Sequence, residues 1–277
     1  MKNKLTLSPS SINTLQSCLR KGQFEKVRGF RGSKSSAMEG GDLYHKLLES
    51  YYSGIISKRS DNITSSINDG RAHSISLNLD PKEVERCIKV FRDYCLFYAN
   101  ETWIPLAVEK PFTSEEPIHE TENFLFYLEF RTDLLFQDRD SISACDHKSK
   151  GKKSYPNPLQ NQYLATCYGL GINTLVENVL YTQETMDGSK LTHPDRFPRR
   201  IFTYTDEQLE EWRQDIVYLC DSYEKAFTTN FYPRNLTSCD KYGGCQFSSV
   251  CSALPEVRDY ILSRDFKKSE GFDIFKK

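Results

Sequence analysis

The chain has no apolar run of about 18 residues, the length a membrane-crossing helix needs, so no membrane role is expected. Its opening, MKNKLTLSPSS, carries neither the apolar core nor the small-residue cleavage site of a secretory signal, which predicts a protein of the reducing cytosol. Disulfides are then a poor explanation for nine cysteines. The chain also lacks a GxxxxGK(S/T) phosphate loop and any internal repeat, which argues against a built-in ATP-driven motor. A surplus of charge is missing too: 37 basic residues face 38 acidic ones, a net charge of -1. This argues against coating nucleic acid by bulk positive charge, and any phosphate contact must come from local patches. Two basic patches stand out: Arg20, Lys21, Lys26, Arg28, Arg31 and Lys34 near the N-terminus, and Lys148, Lys150, Lys152 and Lys153 further on.

What the chain does have is enough length, at 277 residues, for a substantial core. Ser8-Pro9 before SSINTLQSCL predicts a capped helix over 9–22 that carries Cys18. Leu43, Leu47, Leu48 and Tyr51 recur at helical spacing and predict a second helix over 40–53, with His45 in its first turns. Residues 54–79 read as polar and irregular. Asp80-Pro81 with Glu83 opens a third helix, whose apolar face carries Val84, Ile88, Phe91, Cys95 and Tyr98. From 103 to 148 the period changes to two, most plainly in LEFRTDLLF. Further on, helices are predicted at 158–170 and 206–228, and strands near 177–183 and 199–204. The pattern is that of one α/β domain over 1–277: a mainly helical 1–100, a β-sheet core over 101–205, a helix and Cys-rich clasp over 206–252, and a tail over 253–277.

The turn residues QDRDS sit between LEFRTDLLF and SISACDHK, which makes a hairpin the economical reading. With a tight turn over Arg139-Asp140, residues 138 and 141 face each other and Asp133 falls opposite Asp146. Two unpaired carboxylates so placed, with β-carbons about 5 Å apart, would repel, and a divalent cation would remove the penalty. Lys148 projects from the same face and could neutralise charge on a phosphoryl group. Two carboxylates and a lysine around hard cations suit phosphodiester hydrolysis, in which water is the nucleophile. A register slip by one would leave Asp146 and Lys148 together, and an exposed strand with scattered charges is the plainer alternative.

The order GGDLYH, RTD, CDHK and then the glutamine-bearing LQNQYLATCY resembles the PD-(D/E)xK nuclease superfamily, and within it the RecB-like exonucleases, including small phage enzymes and CRISPR-associated adaptation nucleases. The resemblance spans nearly the whole chain. It implies a restriction-endonuclease-like core, a central mixed β-sheet flanked by helices. It also implies that His45, Asp133 and Asp146, with the backbone carbonyl of His147, bind magnesium or manganese, and that Lys148 serves the hydrolytic step. Gln162 is assigned to the catalytic set with Asp133, Asp146 and Lys148, although Gln160 and Gln162 are followed four residues later by Leu164 and Thr166 where the family often has tyrosine. Arg131 stands where the family often has a glycine nearby, which implies either an added phosphate contact or only a different strand packing.

Cys239, Cys245 and Cys251 follow one another at two equal spacings of six, and three thiolates cannot complete a four-ligand site. By the same resemblance Cys18 is the lone N-terminal ligand that joins them to hold a 4Fe-4S cluster, with glycines 243 and 244 letting the loop wrap. Zinc on the same four thiolates is the alternative. Cys87, Cys95, Cys145, Cys167 and Cys220 are expected in the core. The function expected is that of a metal-dependent DNA nuclease, an exonuclease acting on single strands or DNA ends. Arg20, Lys21, Lys150, Lys152 and Lys153 would line the DNA path and read backbone rather than base. A non-catalytic DNA-binding or scaffold protein that keeps the fold is the alternative, and oligomeric state has no signature in the sequence.

Overall fold

The computed structural model describes residues 2–31, 36–151, 155–183, 185–186, 189–240 and 244–269. The chain begins with β1 (Asn3–Leu7), α1 (Pro9–Ser17), α2 (Leu19–Gly22), a π-helical turn (Gln23–Val27) and β2 (Phe30–Arg31). Three long helices follow, α3 (Ser36–Ile56), α4 (Asn62–Ser76) and α5 (Pro81–Phe97). Then come β3 (Ile104–Thr113), β4 (His119–Glu120), β5 (Phe124–Asp138), β6 (Ser141–Lys150), α6 (Asn161–Leu170) and β7 (Thr174–Tyr181). The short β8 (Thr185–Met186), β9 (Ser189–Lys190) and α7 (His193–Arg196) lead to β10 (Arg199–Thr203) and the long α8 (Asp206–Thr228). The chain closes with α9 (Ser248–Ser252), α10 (Arg258–Asp265) and β11 (Lys267–Lys268). Among the described residues no helix is long and apolar enough to cross a membrane.

These elements divide into two compact units, each assembled from separate stretches of chain. The first holds residues 1–33, 113–130 and 207–277. In it β1 runs parallel to Phe124–Leu128 of β5, β4 runs antiparallel to the same stretch, and Tyr223 of α8 packs edge-on to Phe124 and Phe126. A separate small core of Phe24, Phe30, Phe247, Val250 and Leu262 joins the two ends of the sequence, and β11 pairs with β2 beside it. The stretch from 253, expected as a tail, is therefore mostly built into this unit up to residue 269.

The second unit holds 34–112 and 131–206. Its sheet is mixed: β5 pairs antiparallel with β6, β6 parallel with β7, and β7 antiparallel with β10. The hairpin turn falls on Arg139-Asp140 with Asp138 opposite Ser141, the register expected, and Arg139 takes a positive φ of 54°. Leu134, Cys145 and Val176 sit side by side across three strands and pack against α3 and α5 through Leu43, Leu47, Ile88 and Phe91. Helices thus flank a mixed sheet, α6 contributing Tyr163, which stacks on Phe202 of β10.

Local chemistry sets the helix limits. The Ser8 hydroxyl accepts the Ser11 N–H at 3.1 Å, and the Asp80 carboxylate accepts that of Lys82 at 2.8 Å, with proline at the first helical position of each. The predicted 9–22 helix is broken at Cys18, whose extended backbone (φ -170°, ψ 117°) separates α1 from α2. The helix α4 occupies a stretch expected to be irregular. Ser66 and Ser74 are buried on it, and a Cβ at Gly70 would stand 2.5 Å from Leu47 Cδ2 of α3. Leu47 is fully buried, so filling that space forces repacking. Gly70→Leu is expected to lower stability in urea unfolding by about 1–3 kcal/mol. Adding Leu47→Ala should make the double variant more stable than the summed single effects imply; simple additivity would show that α3 and α4 do not meet there.

Candidate functional site

Four neighbouring strands of the second unit carry a row of charge. Asp146 is paired in register with Glu177, and Glu177 with Arg200. The β5–β6 ladder ends at Leu134 and Cys145, so Asp133 and Asp146 face each other one step beyond it. Where the ladder stops, the Asp133 carboxylate accepts the His147 N–H at 2.8 Å, taking the place of a backbone acceptor. Lys148 Nζ grips Asp146 at 3.0 and 2.8 Å from its two oxygens. The side chains alternate along β6, so Asp146 and Lys148 share the face that carries Asp133, while Cys145 and His147 point into the core.

The helix α3 brings His45 over this row, with Nδ1 3.5 Å from Asp133 Oδ2. Glu109 of β3 completes a group of three: one ligand atom each from His45, Glu109 and Asp133 lies within 4.8 Å of the others, a donor set suited to a hard divalent cation. Glu109 holds its backbone at φ 47°, a rare and strained conformation for a residue other than glycine. A cavity of about 420 Å³ opens here, lined by these three residues with Asp42, Lys46, Glu49 and His73. Sequence reasoning missed Glu109. Its only signal was an acid beside a lysine in the strand LAVEKPF, with no second motif residue near it.

Electrostatics match the donor set. Burial, with Asp146 close by, pushes the Asp133 carboxyl up to about 7, and burial with Asp133 nearby raises Glu109. Burial lowers His45, keeping it neutral and able to ligate. Burial also works against the charge of Lys148, but the Asp146 carboxylate outweighs it and holds the ammonium above the ordinary lysine value.

The remaining predicted residues are distributed as follows. The His147 ring is fully buried, stacked on Tyr52 at 5.6 Å and in contact with Asn178 at 2.9 Å, so only its backbone reaches the acidic face. Gln162 donates to the Arg131 carbonyl at 3.2 Å. Lys150 is committed to buried Glu177 at 2.6 Å. Lys34, Lys152, Lys153 and Gly243 lie outside the described residues. Arg20 and Lys21 belong to the first unit, where the Arg20 guanidinium donates to the Tyr232 carbonyl at 2.9 Å and Lys21 faces Glu25 at 3.7 Å.

In that first unit Cys18, Cys239, Cys245 and Cys251 all line one cavity of about 790 Å³, together with Lys21 and Arg234. All nine cysteines are free, and the five expected in the core are buried there. No three of the four thiols among these described residues come within 4.8 Å of one another, the closeness a single bound ion would demand. Arg20 senses Cys251, Cys18, Arg234 and Arg258, and the Cys251 thiol is raised by burial against the opposing pull of Arg20.

The acid and histidine groups over this face form a donor set suited to a hard cation, with the Lys148 ammonium beside them. A family model described as the PD-(D/E)XK nuclease superfamily matches residues 6–252, and the chain belongs to that superfamily, whose nucleases use magnesium or manganese. A solved structure described as "Crystal structure of SSO0001" is similar at 14% identity and a TM-score of 0.35, over 76% of this chain and 85% of that one. No curated protein matches the sequence.

The sign of the Asp133 shift sets a pH dependence. A carboxyl raised from 3.8 to about 7 binds its proton more tightly in the folded state, so folding stability falls as pH rises through that window and stays lower above it. Asp133→Asn, which keeps an acceptor for the His147 N–H, is expected to melt higher than wild type at about pH 8 in EDTA, with the gap closing towards about pH 5. A gap that does not change with pH would sink this account. Magnesium or manganese should raise the melting temperature of wild type and not of the variant.

Proposed function

We propose that the protein is a metal-dependent DNA exonuclease acting on single strands or DNA ends, with a 4Fe-4S cluster in the thiol-lined cavity of its first unit. The observation that carries the nuclease reading is the meeting of His45, Glu109, Asp133 and Asp146 with Lys148 over one face of the sheet. His45, Glu109 and Asp133 would hold the cation, with Asp146 and the His147 backbone beside them. Such an ion supplies an activated water and neutralises phosphate charge. Lys148, fixed by Asp146, keeps a positive charge where the scissile phosphate must lie. Asp133 accepts the His147 N–H and so holds its carboxylate towards Asp146 rather than solvent.

Support for the cluster comes from the donor set. Four thiols around one wide cavity, too far apart for a single ion as they stand, suit a cluster that spreads its ligands. Arg20, Arg234 and Arg258 would offset its thiolate charge. A cluster of that kind fits the reducing cytosol.

Two measurements test these readings. Wild type, purified without oxygen, is expected to degrade end-labelled linear DNA only with magnesium or manganese, and Asp146→Ala or Lys148→Ala, folded by thermal melt, to lose at least about 100-fold. Cutting of closed circular DNA would overturn the exonuclease reading, and no cutting of any DNA would overturn the nuclease activity. Visible absorbance with iron and acid-labile sulfide in equal amounts, lost in Cys251→Ser, is expected for the cluster; zinc in their place would give the site to the other metal.

A further inference from the structure

Four cations among the described residues on β5, β6 and β10 of this sheet face, Arg131, Lys148, Lys150 and Arg200, are not equivalent. Lys148 is held by Asp146 at 2.8 Å, Lys150 by Glu177 at 2.6 Å and Arg200 by Glu177 at 2.8 Å, with side chains 34%, 21% and 17% exposed. All three distances are those of firm charge-assisted hydrogen bonds. Arg131 differs on both counts. Its side chain is 65% exposed and its ion pair, with Glu109, is 3.5 Å long. Arg131 also precedes Asp133 by two residues on β5, so both project from the same face of the strand. Its backbone is anchored, because Gln162 of α6 donates to its carbonyl at 3.2 Å. The base of the side chain is therefore placed while its tip is loosely held.

We propose that Arg131 is the residue of this site that grips a phosphate of the nucleic-acid backbone, Gln162 positioning it and Glu109 tethering it lightly until substrate arrives. The inference rests on the nuclease reading and adds a substrate contact to it. Exchange is favoured by chemistry: a guanidinium matches two phosphate oxygens in a fork, which a single 3.5 Å contact to a carboxylate does not use. The tether is also shared. Glu109 belongs to the triad that can hold a cation, so the same carboxylate that steadies Arg131 faces the metal position. A phosphate that reaches Arg131 is thereby brought next to Asp133 and Lys148. This contact carries no base information, since every nucleotide offers the same oxygens.

The test uses the full-length protein and a labelled single-stranded oligodeoxynucleotide, with binding followed by fluorescence anisotropy in EDTA and again in calcium, over about 50 to 200 mM salt. Arg131→Ala is expected to raise the Kd roughly tenfold at low salt and to reduce the slope of log affinity against log salt by about 0.7, one phosphate contact to a single strand. Arg131→Lys should restore the slope while recovering only part of the affinity. Lys82→Ala, which removes an exposed charge from the first turn of α5, should behave as wild type. Gln162→Ala should weaken binding less than Arg131→Ala and leave the slope intact. An Arg131→Ala protein that melts as wild type does and binds with an unchanged slope overturns the proposal, as does an equal loss in Lys82→Ala. Wild type that binds no nucleic acid at all sinks the nuclease reading instead, and is told apart because it requires no variant.

Discussion

The pair of aspartates facing each other across the β5–β6 hairpin is the constraint around which the second unit is arranged. Like charges on directly opposed strand residues destabilise the pairing. Three features offset that repulsion. Asp133 accepts the His147 N–H, Lys148 reaches both oxygens of Asp146, and burial beside Asp146 raises the Asp133 carboxyl and favours its neutral form. The last is the least costly response of a buried carboxyl to a like charge, and it is also the one a cation displaces most directly. The same arrangement therefore stabilises the metal-free fold and prepares the site for a metal.

Holding the aspartates is not enough, because His45 arrives on a different element. A buried polar network on the core side of β6 ties that element in. Tyr52 lies two helical turns after His45 on α3, stacks on the His147 ring, and shares a 2.7 Å hydrogen bond with the Tyr94 hydroxyl of α5. Asn178 of β7 links Tyr94 and His147 at 3.0 and 2.9 Å, and Tyr52 reaches Glu101 at 3.0 Å. Arg199 of β10 contacts Glu101 and Tyr94 and lies between the faces of Tyr98 and Trp103, each 3.6 Å away. A rotation of α3 that displaced His45 would also break this network. The residue that caps Asp133 with its N–H thus uses its ring to fix the helix that supplies the histidine.

How much of this the sequence reveals depends on whether a residue's partner is local. The hairpin register follows from period-two alternation and a two-residue turn, so Asp133, Asp146 and Lys148 are legible without any structure. The α5 helix is equally plain, since its cap and apolar stripe are both local signals. Glu109 is illegible because its role depends on β3 placing it beside Asp133, which no spacing encodes. The helix α4 escapes for a different reason: its buried residues are Ser66, Ile67, Gly70 and Ser74, three of them small, so one apolar residue makes no stripe to read. Cys18 could be assigned to the C-terminal cysteines only by resemblance, although the break in backbone conformation that frees its thiol from a helix lies at that very residue.

The two donor sets are separated by hardness as well as by place. Oxygen and imidazole ligands collect in the second unit, and thiols open to a cavity collect in the first. This division matters because a thiolate next to the acidic site would favour soft or transition metals over magnesium. The one cysteine near that site, Cys145, is turned to the opposite face of β6 and buried among Leu134, Val176 and Tyr94, where its thiol stays protonated far above its ordinary range. The alternation of a single strand therefore keeps sulfur away from the hard-ion face at the one position where the two could have met.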